Sequence, residues 1–209
     1  MKESRIILVI LLLALVIYGV FYLSTRDVEI PDNQAMPWQS YVNDQGKTVV
    51  FDLTMGESTL AESMRLFGSE VEASLFEDKD QKQTLEVFFS STKVGGISAK
   101  VIVNLALNNQ QFDHLNSNIK ETEVMPTGNK KTIFNQTGES SMFNLTISAL
   151  TFIPSADLSP DTLLGLFKKP ARVESLETGV EYWHYPDKGL RIIVDQENKE
   201  ILEFYNTKL

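Results

Sequence analysis

The chain is 209 residues long, carries 28 acidic against 19 basic side chains for a net charge of −9, and contains no cysteine. The lack of cysteine excludes disulfides, thiolate catalysis and cysteine-based zinc sites. The acidic excess argues against nucleic acid as a partner, because a phosphate backbone repels a surface of the same sign.

The first feature in chain order is an apolar run over residues 6–23. Its 18 residues carry no charge, and as a helix they span roughly 27 Å, close to the hydrocarbon core of about 30 Å. A cleaved signal peptide has a shorter apolar region, usually about 7–15 residues, followed by small residues. This run ends in Phe21-Tyr22-Leu23. The sequence therefore predicts an uncleaved transmembrane signal anchor in a lipid bilayer.

The charges around this run predict its orientation. Lys2 and Arg5 precede it and Arg26 follows it, so the positive-inside rule favours a cytoplasmic tip over residues 1–5. The remaining chain then lies outside the cytoplasm. Residues 27–209 hold 16 basic and 27 acidic side chains, a net charge of −11, which suits a solvated body better than an anionic lipid face.

Residues 24–47 are predicted to be a stalk or linker, because they combine two prolines with several polar side chains. Trp38 is expected to dock this stalk on the folded body, and partner binding is the alternative. A first α+β half-domain is predicted over residues 48–120, where alternating and helical apolar spacings follow one another. Its predicted elements are a strand over 48–53, a helix over 59–67, strands over 71–76, 85–89 and 97–107, and a helix over 109–120.

Residues 121–142 are predicted to connect this unit to a second α+β half-domain over residues 143–209. Ser159-Pro160-Asp161 is a strong helix start, with an N-cap, a proline at the first helical position and an early acid. The predicted elements of the second unit are a strand over 143–154, a helix over 159–169, and strands over 180–185, 190–195 and 200–206.

The two units show the same element order at an offset of about 100 residues, with Leu66-Phe67 matching Leu166-Phe167. The predicted fold is therefore α+β, with an N-terminal transmembrane helix and two related half-domains. Each half-domain would pack a short helix on its own antiparallel meander sheet. Chance similarity between two α+β units is the alternative.

The second unit resembles the SmpA/OmlA (BamE-like) domain. The resemblance rests on the segment 163–170 with the sequence Leu-Leu-Gly-Leu-Phe-Lys-Lys-Pro, on Tyr182-Trp183-His184-Tyr185, and on a final hairpin that ends at Tyr205. Lys168 stands where that family has glycine, and the lipidated cysteine is absent, so the resemblance does not imply an outer-membrane lipoprotein. The full pattern, from Met36-Pro37-Trp38-Gln39 through Thr151-Phe152-Ile153-Pro154 to Tyr185-Pro186, also resembles membrane-anchored proteins of Gram-negative bacteria. It implies a location at the inner membrane with the body in the periplasm.

The sequence predicts no catalytic, cofactor or metal site. His114 and His184 have no second ligand at helical or hairpin spacing. The acidic clusters at 77–80 and 195–200 fall in predicted hairpin turns and lack the ligand spacing of an EF-hand. We therefore expect a protein without enzymatic activity. A periplasmic hydrolase or a small-ligand or glycan-binding domain that uses carboxylates is the alternative.

The last predicted sheet carries apolar side chains on both faces. Alternation places Leu190, Ile192 and Val194 on one face, with Leu202 and Phe204 expected to pair on it. Ile193, Ile201 and Tyr205 point the other way, with either Trp183 or Tyr182 beside them. The second face is expected to be covered by the other half-domain or to receive a protein partner. The sequence thus predicts a tethered binding or scaffold module, accessory to an envelope or inner-membrane protein complex. Its candidate partner-binding residues are Trp38, Trp183, Tyr185, Ile193, Ile201 and Tyr205.

Overall fold

The computed structural model describes residues 35–195 and 197–207. These residues form a three-stranded sheet near the start of the described chain, a ten-stranded sheet and four α-helices. The small sheet contains β1 (Tyr41–Val42), β2 (Thr48–Val50) and β3 (Leu53–Thr54). The helices are α1 (Leu60–Phe67), α2 (Asn109–Asn116), α3 (Gln136–Ser141) and α4 (Pro160–Phe167). The large sheet contains β4 (Glu72–Glu77), β5 (Gln83–Val94), β6 (Ile97–Leu105), β7 (Ile119–Val124), β8 (Lys130–Phe134), β9 (Ile147–Pro154), β10 (Arg172–Ser175), β11 (Glu181–Tyr185), β12 (Leu190–Val194) and β13 (Ile201–Tyr205).

The ten strands of the large sheet are antiparallel and run in the order β10-β11-β12-β13-β9-β6-β5-β4-β8-β7. The predicted pair of half-domains with separate sheets is therefore wrong, and the fold is mostly β. The physical reason is β9, which pairs with β6 through Val101 and Phe152 and with β13 through Phe152 and Leu202. One strand thus joins both predicted meanders into a single sheet.

None of the helices within residues 35–195 and 197–207 has both the length and the apolar character needed to cross a membrane. The predicted anchor over residues 6–23 lies outside the described residues, as does the predicted cytoplasmic tip.

One face of the large sheet, which we name the core face, is covered by α1, α4 and the three-stranded sheet. Phe51 lies at the centre of this layer, with ring-centre distances of 5.8 Å to Phe67, 5.3 Å to Phe152 and 6.3 Å to Phe204. The strand predicted over 48–53 is interrupted here, since Phe51 and Asp52 have φ values of 54° and 60°. This turn lets β2 and β3 pair with each other.

Polar contacts fix the small sheet against the end of β13. The Thr48 hydroxyl donates to the Tyr205 carbonyl at 2.8 Å, and the Thr48 amide donates to the Asn206 side chain at 2.8 Å. Asn206 in turn donates to the Met55 carbonyl at 3.0 Å. Residues 41–47 therefore belong to the folded body, and the predicted stalk extends too far along the chain.

Helices α1 and α4 begin where their sequences predict. Thr59 caps α1 and forms a reciprocal capping box with Glu62, and Ser159 caps α4 ahead of Pro160. Both helices end at a residue with positive φ, Gly68 at 109° and Lys168 at 68°. The similarity between segments 100 residues apart therefore includes the conformation at the C-termini of α1 and α4. Only α1 ends at the glycine that this conformation favours.

The predicted connection over 121–142 is wrong for most of its length. It contains most of β7, together with β8 and α3, and the two strands form the hairpin at one end of the large sheet. All six residues of β7 are exposed, so this strand lacks the alternation of apolar and polar side chains that reveals a half-buried strand. At the opposite end, β10 was also not predicted.

Candidate binding face

The second face of the large sheet is formed by the side chains that alternate with those of the core face. We name it the open face. Its central members are half-buried, whereas their neighbours on the core face are buried. Within the described residues, every ring contact between a helix and the sheet is made on the core face. The central members of the open face are Phe88, Ile102, Thr151, Ile153, Tyr182, Arg191, Ile193, Ile201, Glu203 and Tyr205.

An apolar strip crosses the open face. Tyr182 lies opposite Ile193, and Ile193 lies opposite Ile201. One step beyond the Phe152–Leu202 pair, the same register places Ile153 beside Ile201. Directly opposed side chains lie close enough for their apolar atoms to pack. The strip therefore runs without a break over four neighbouring strands.

The charges at the centre of this face neutralise each other. Arg191 and Glu203 are directly opposite in neighbouring strands, and the Arg191 Nε donates to Glu203 Oε2 at 2.7 Å. The guanidinium carbon of Arg191 also lies 5.0 Å from the ring centre of Tyr182, within the range of a cation–π contact. The centre of the open face thus combines an apolar strip with the Arg191–Glu203 pair, and further charged side chains, such as Lys100 and Glu86, lie elsewhere on the same face.

The structure divides the predicted partner-binding residues between the two faces. Ile193, Ile201 and Tyr205 lie on the open face and are half-buried. Trp183 and Tyr185 lie on the core face, with 6% and 2% of their surface exposed, so they are core residues. Tyr185 donates its hydroxyl to the Lys168 carbonyl at 3.1 Å; burial, assisted by the Asp187 charge, raises its pKa to about 12.

Sequence reasoning did not name Phe88, Ile102 and Ile153 as candidate binding residues. Each occupies the alternate position in a strand whose core-face residues form the stronger pattern. Tyr182 was one of two alternatives, because either Tyr182 or Trp183 could accompany Ile193. The register of β11 on β12 decides between them, since it sets Tyr182 against Ile193.

Trp38, the remaining predicted residue, lies where the described chain begins. Its ring meets Phe167 edge to face at 6.5 Å and 85°, and its carbonyl accepts from Lys188 at 3.1 Å. Trp38 also lines an apolar cavity of about 220 Å³ together with Phe152 and Leu166. These contacts match the docking role expected of Trp38.

The acids of the predicted turns are engaged in local contacts. Glu77 accepts from Lys130 at 2.6 Å and from Gln83 at 2.8 Å, and the bond to Lys130 holds its pKa below the usual range. Asp195 accepts from the Glu197 amide at 2.9 Å, which likewise lowers the pKa of Asp195. These contacts give both carboxylates a structural role in their turns.

A second set of charged groups lies at the free edge of β10. Arg172 Nη2 is 3.2 Å from Glu174 Oε2 and 3.1 Å from His184 Nε2. His114 is in α2, in another part of the fold. Among residues 35–195 and 197–207, no group of three or more His, Asp or Glu side chains is placed to hold a metal ion.

Comparison of the chain with protein-family models, with curated proteins and with solved structures finds no match. The fold and the open face are therefore the observations on which a function is proposed.

Proposed function

We propose that this chain is a non-enzymatic binding module, tethered to the bacterial inner membrane by residues 6–23, with its body in the periplasm. In this proposal the open face receives a protein of the cell envelope and makes the chain an accessory of that protein's complex. The observation that carries the proposal is the apolar strip from Tyr182 to Ile153, which is half-buried on a face opposite the core.

The composition of the open face favours a protein partner. Aromatic side chains and arginine are enriched in the centres of protein interfaces, and charges there are depleted or paired. Tyr182, Tyr205 and Arg191 supply the first feature, and the Arg191–Glu203 pair supplies the second. A sheet face of this kind accepts an apolar surface of matching size, such as the apolar side of an amphipathic helix.

The proposed envelope setting rests on the sequence. It combines the uncharged run over residues 6–23, the flanking charges and the resemblance of residues 163–205 to the BamE-like domain. The hydrolase alternative has less support within the described residues. Asp195 and Glu200 line a cavity, but both accept hydrogen bonds from backbone amides, of Glu197 and Leu158 respectively, and Glu77 is bound to Lys130.

A pull-down of the full chain tests the partner. The tagged wild type, the double variant Ile193→Asp/Ile201→Asp and the control Val124→Asp are extracted in mild detergent. Val124 is 71% exposed at the far edge of the sheet, so its substitution adds the same kind of charge away from the open face. We expect a membrane protein to co-purify with the wild type and the control and to be lost from the double variant.

Recovery of the wild type alone would contradict the proposal, as would equal recovery of the same partner with the double variant. The location is tested separately with reporters fused after Leu209. We expect activity of a periplasmic reporter; activity of a cytoplasmic reporter alone would overturn the proposed orientation.

A further inference from the structure

We infer that β10 pairs edge to edge with β10 of a second copy of this chain, antiparallel about a two-fold axis at Val173. This strand ends the ten-stranded sheet and pairs with β11 on one side. All four of its residues are exposed, and 47% of the Val173 surface is accessible. An exposed edge of this kind presents unpaired backbone groups to another strand.

The backbone groups that face outward can be identified from the hairpin between β10 and β11. The Leu176 amide donates to the Val180 carbonyl at 2.8 Å, so this opposed pair is a hydrogen-bonded one. Hydrogen-bonded and non-hydrogen-bonded pairs alternate along an antiparallel ladder. The backbone groups of Val173 and Ser175 therefore point away from β11, toward an incoming strand.

A two-fold axis at Val173 also matches the side chains. In an antiparallel pair that is symmetric about this residue, Arg172 lies opposite Glu174 of the second copy, and Glu174 lies opposite Arg172 of that copy. The two ion pairs would form on the face of Tyr182 and His184, where Arg172 and Glu174 of one chain already lie 3.2 Å apart. The two Val173 side chains would meet on the other face of the sheet. Opposite charges in directly opposed positions stabilise a sheet, and like charges destabilise it. Moving the axis to Glu174 would oppose two carboxylates, so the charges select the register at Val173.

The other edge of the sheet has the opposite character. The Met125 amide donates to the Asn129 carbonyl, so alternation along the ladder turns the backbone groups of Thr122 outward. A two-fold pairing about Thr122 would set Glu121 against Glu123 of the second copy twice. The acids of β7 therefore protect this edge from self-pairing, which is a common function of charges on edge strands.

The size of the contact predicts a reversible dimer. Standard stable interfaces bury about 1,200–2,000 Å² in total, more than two four-residue strands can contribute. The pairing uses the edge of the sheet and leaves the open face accessible. It is therefore independent of the proposed partner.

Cross-linking of the full chain in membranes tests this inference, because the chain has no cysteine of its own. The variant Val173→Cys is treated with a short thiol cross-linker, and Val124→Cys on the other edge is the control. The inferred pairing sets the two α-carbons at position 173 about 5.5 Å apart, so we expect at least about fivefold more covalent dimer than in the control. Equal yields at the two positions would overturn the inference.

Charge exchange then tests the register. In the Val173→Cys background, Arg172→Glu and Glu174→Arg each place like charges opposite one another, and we expect either change to reduce the dimer yield several-fold. Combining the two changes restores both ion pairs and is expected to restore the yield at equal amounts of folded chain. An undiminished yield in the single variants, or no recovery in the combined one, would contradict the inferred register.

Discussion

The two faces of the ten-stranded sheet are made by the same strands, yet they have different environments. In β9, Phe152 is 1% exposed on the core face, and Ile153 beside it is half-buried on the open face. The same contrast holds in β12 between Ile192 and Ile193. Both faces carry large apolar side chains, so hydrophobicity alone does not distinguish a core position from a candidate binding position.

What distinguishes the core face is its covering layer. The ring centres of Phe67 in α1 and Phe89 in β5 are 5.4 Å apart, and those of Phe167 in α4 and Tyr185 in β11 are 6.0 Å apart. Phe51 lies between the helices and the sheet. The described ring contacts thus join the covering elements to one face. The contrast predicts that substitutions on the core face affect stability and those on the open face affect binding.

The largest difference is expected within β9. Phe152→Ala removes a buried ring and leaves a cavity, which should lower the free energy of unfolding by about 3–5 kcal/mol. Ile153→Ala should lower it by about 1 kcal/mol, because part of this side chain already contacts solvent. Denaturant unfolding of both variants measures the difference. Equal losses would show that the two faces are equally important for stability.

A second contrast tests how closely the small sheet is fitted to the core face. At Gly189, φ is +57° and an added β-carbon would lie 1.8 Å from Thr48 Oγ1. That hydroxyl is held by its bond to the Tyr205 carbonyl. Gly189→Ala should therefore cost about 3 kcal/mol, through overpacking and backbone strain.

The matched control is Gly179→Ala. Gly179 also has positive φ, +83°, but nothing lies within 4 Å of an added β-carbon. Backbone strain alone should cost about 1 kcal/mol. Thermal unfolding compares the two variants, and an equally small cost at Gly189 would contradict the close docking of β2.

A smaller effect is expected from the charge pair on the open face. Arg191 and Glu203 are partly exposed, so solvent weakens their attraction. A double-mutant cycle with Arg191→Ala and Glu203→Ala should give a coupling energy of about 0.5–1 kcal/mol. A coupling of several kcal/mol would mean that the pair is a buried part of the fold.

The smallest effect is expected at Glu86, which lies on the open face between Ser74 and Asn104. Burial raises the pKa of this carboxyl above its ordinary value. The folded state then binds more protons than the unfolded state between the two pKa values, so stability falls as the pH rises through the folded pKa.

Glu86→Gln removes this penalty. Because Glu86 is only half-buried, solvent reduces this penalty. We therefore expect the variant to be more stable than the wild type at pH 7 by well under about 1 kcal/mol, and to lose that advantage at about pH 3.5. Denaturant unfolding of the variant and the wild type at pH 7 and at about pH 3.5 measures the difference in their stability at each pH. A variant that is less stable at pH 7 would show that the carboxylate is favoured by its surroundings.

Local signals in the sequence predicted α1, α2, α4 and the last three strands, but not α3. The capping box at Thr59 and the Ser159-Pro160 start lie within one helical turn of the residues that they control. Simple alternation placed Leu190, Ile192, Leu202 and Phe204 on one face, and the structure pairs Leu190 with Phe204 and Ile192 with Leu202 there. Ile193, Ile201 and Tyr205 were placed on the opposite face for the same reason.

The rest depended on contacts between distant residues. The union of the two meanders requires the register of β9 against β6 and β13, which no local pattern contains. The turn at Phe51-Asp52 uses positive φ without glycine, so the sequence offered no turn signal. Trp183 and Tyr185 were assigned to a binding surface because aromatic residues occur on both faces of β11.

Site-specific photo-cross-linking of the full chain in cells tests the central claim most directly. A photoreactive amino acid is placed at Ile153 or Ile193 on the open face, and at Val124 as a control on the far edge. We predict that both open-face positions give an adduct with the same envelope protein and that position 124 does not. Absence of an adduct at positions 153 and 193, or an identical adduct at all three positions, would contradict the assignment of the open face as the binding surface.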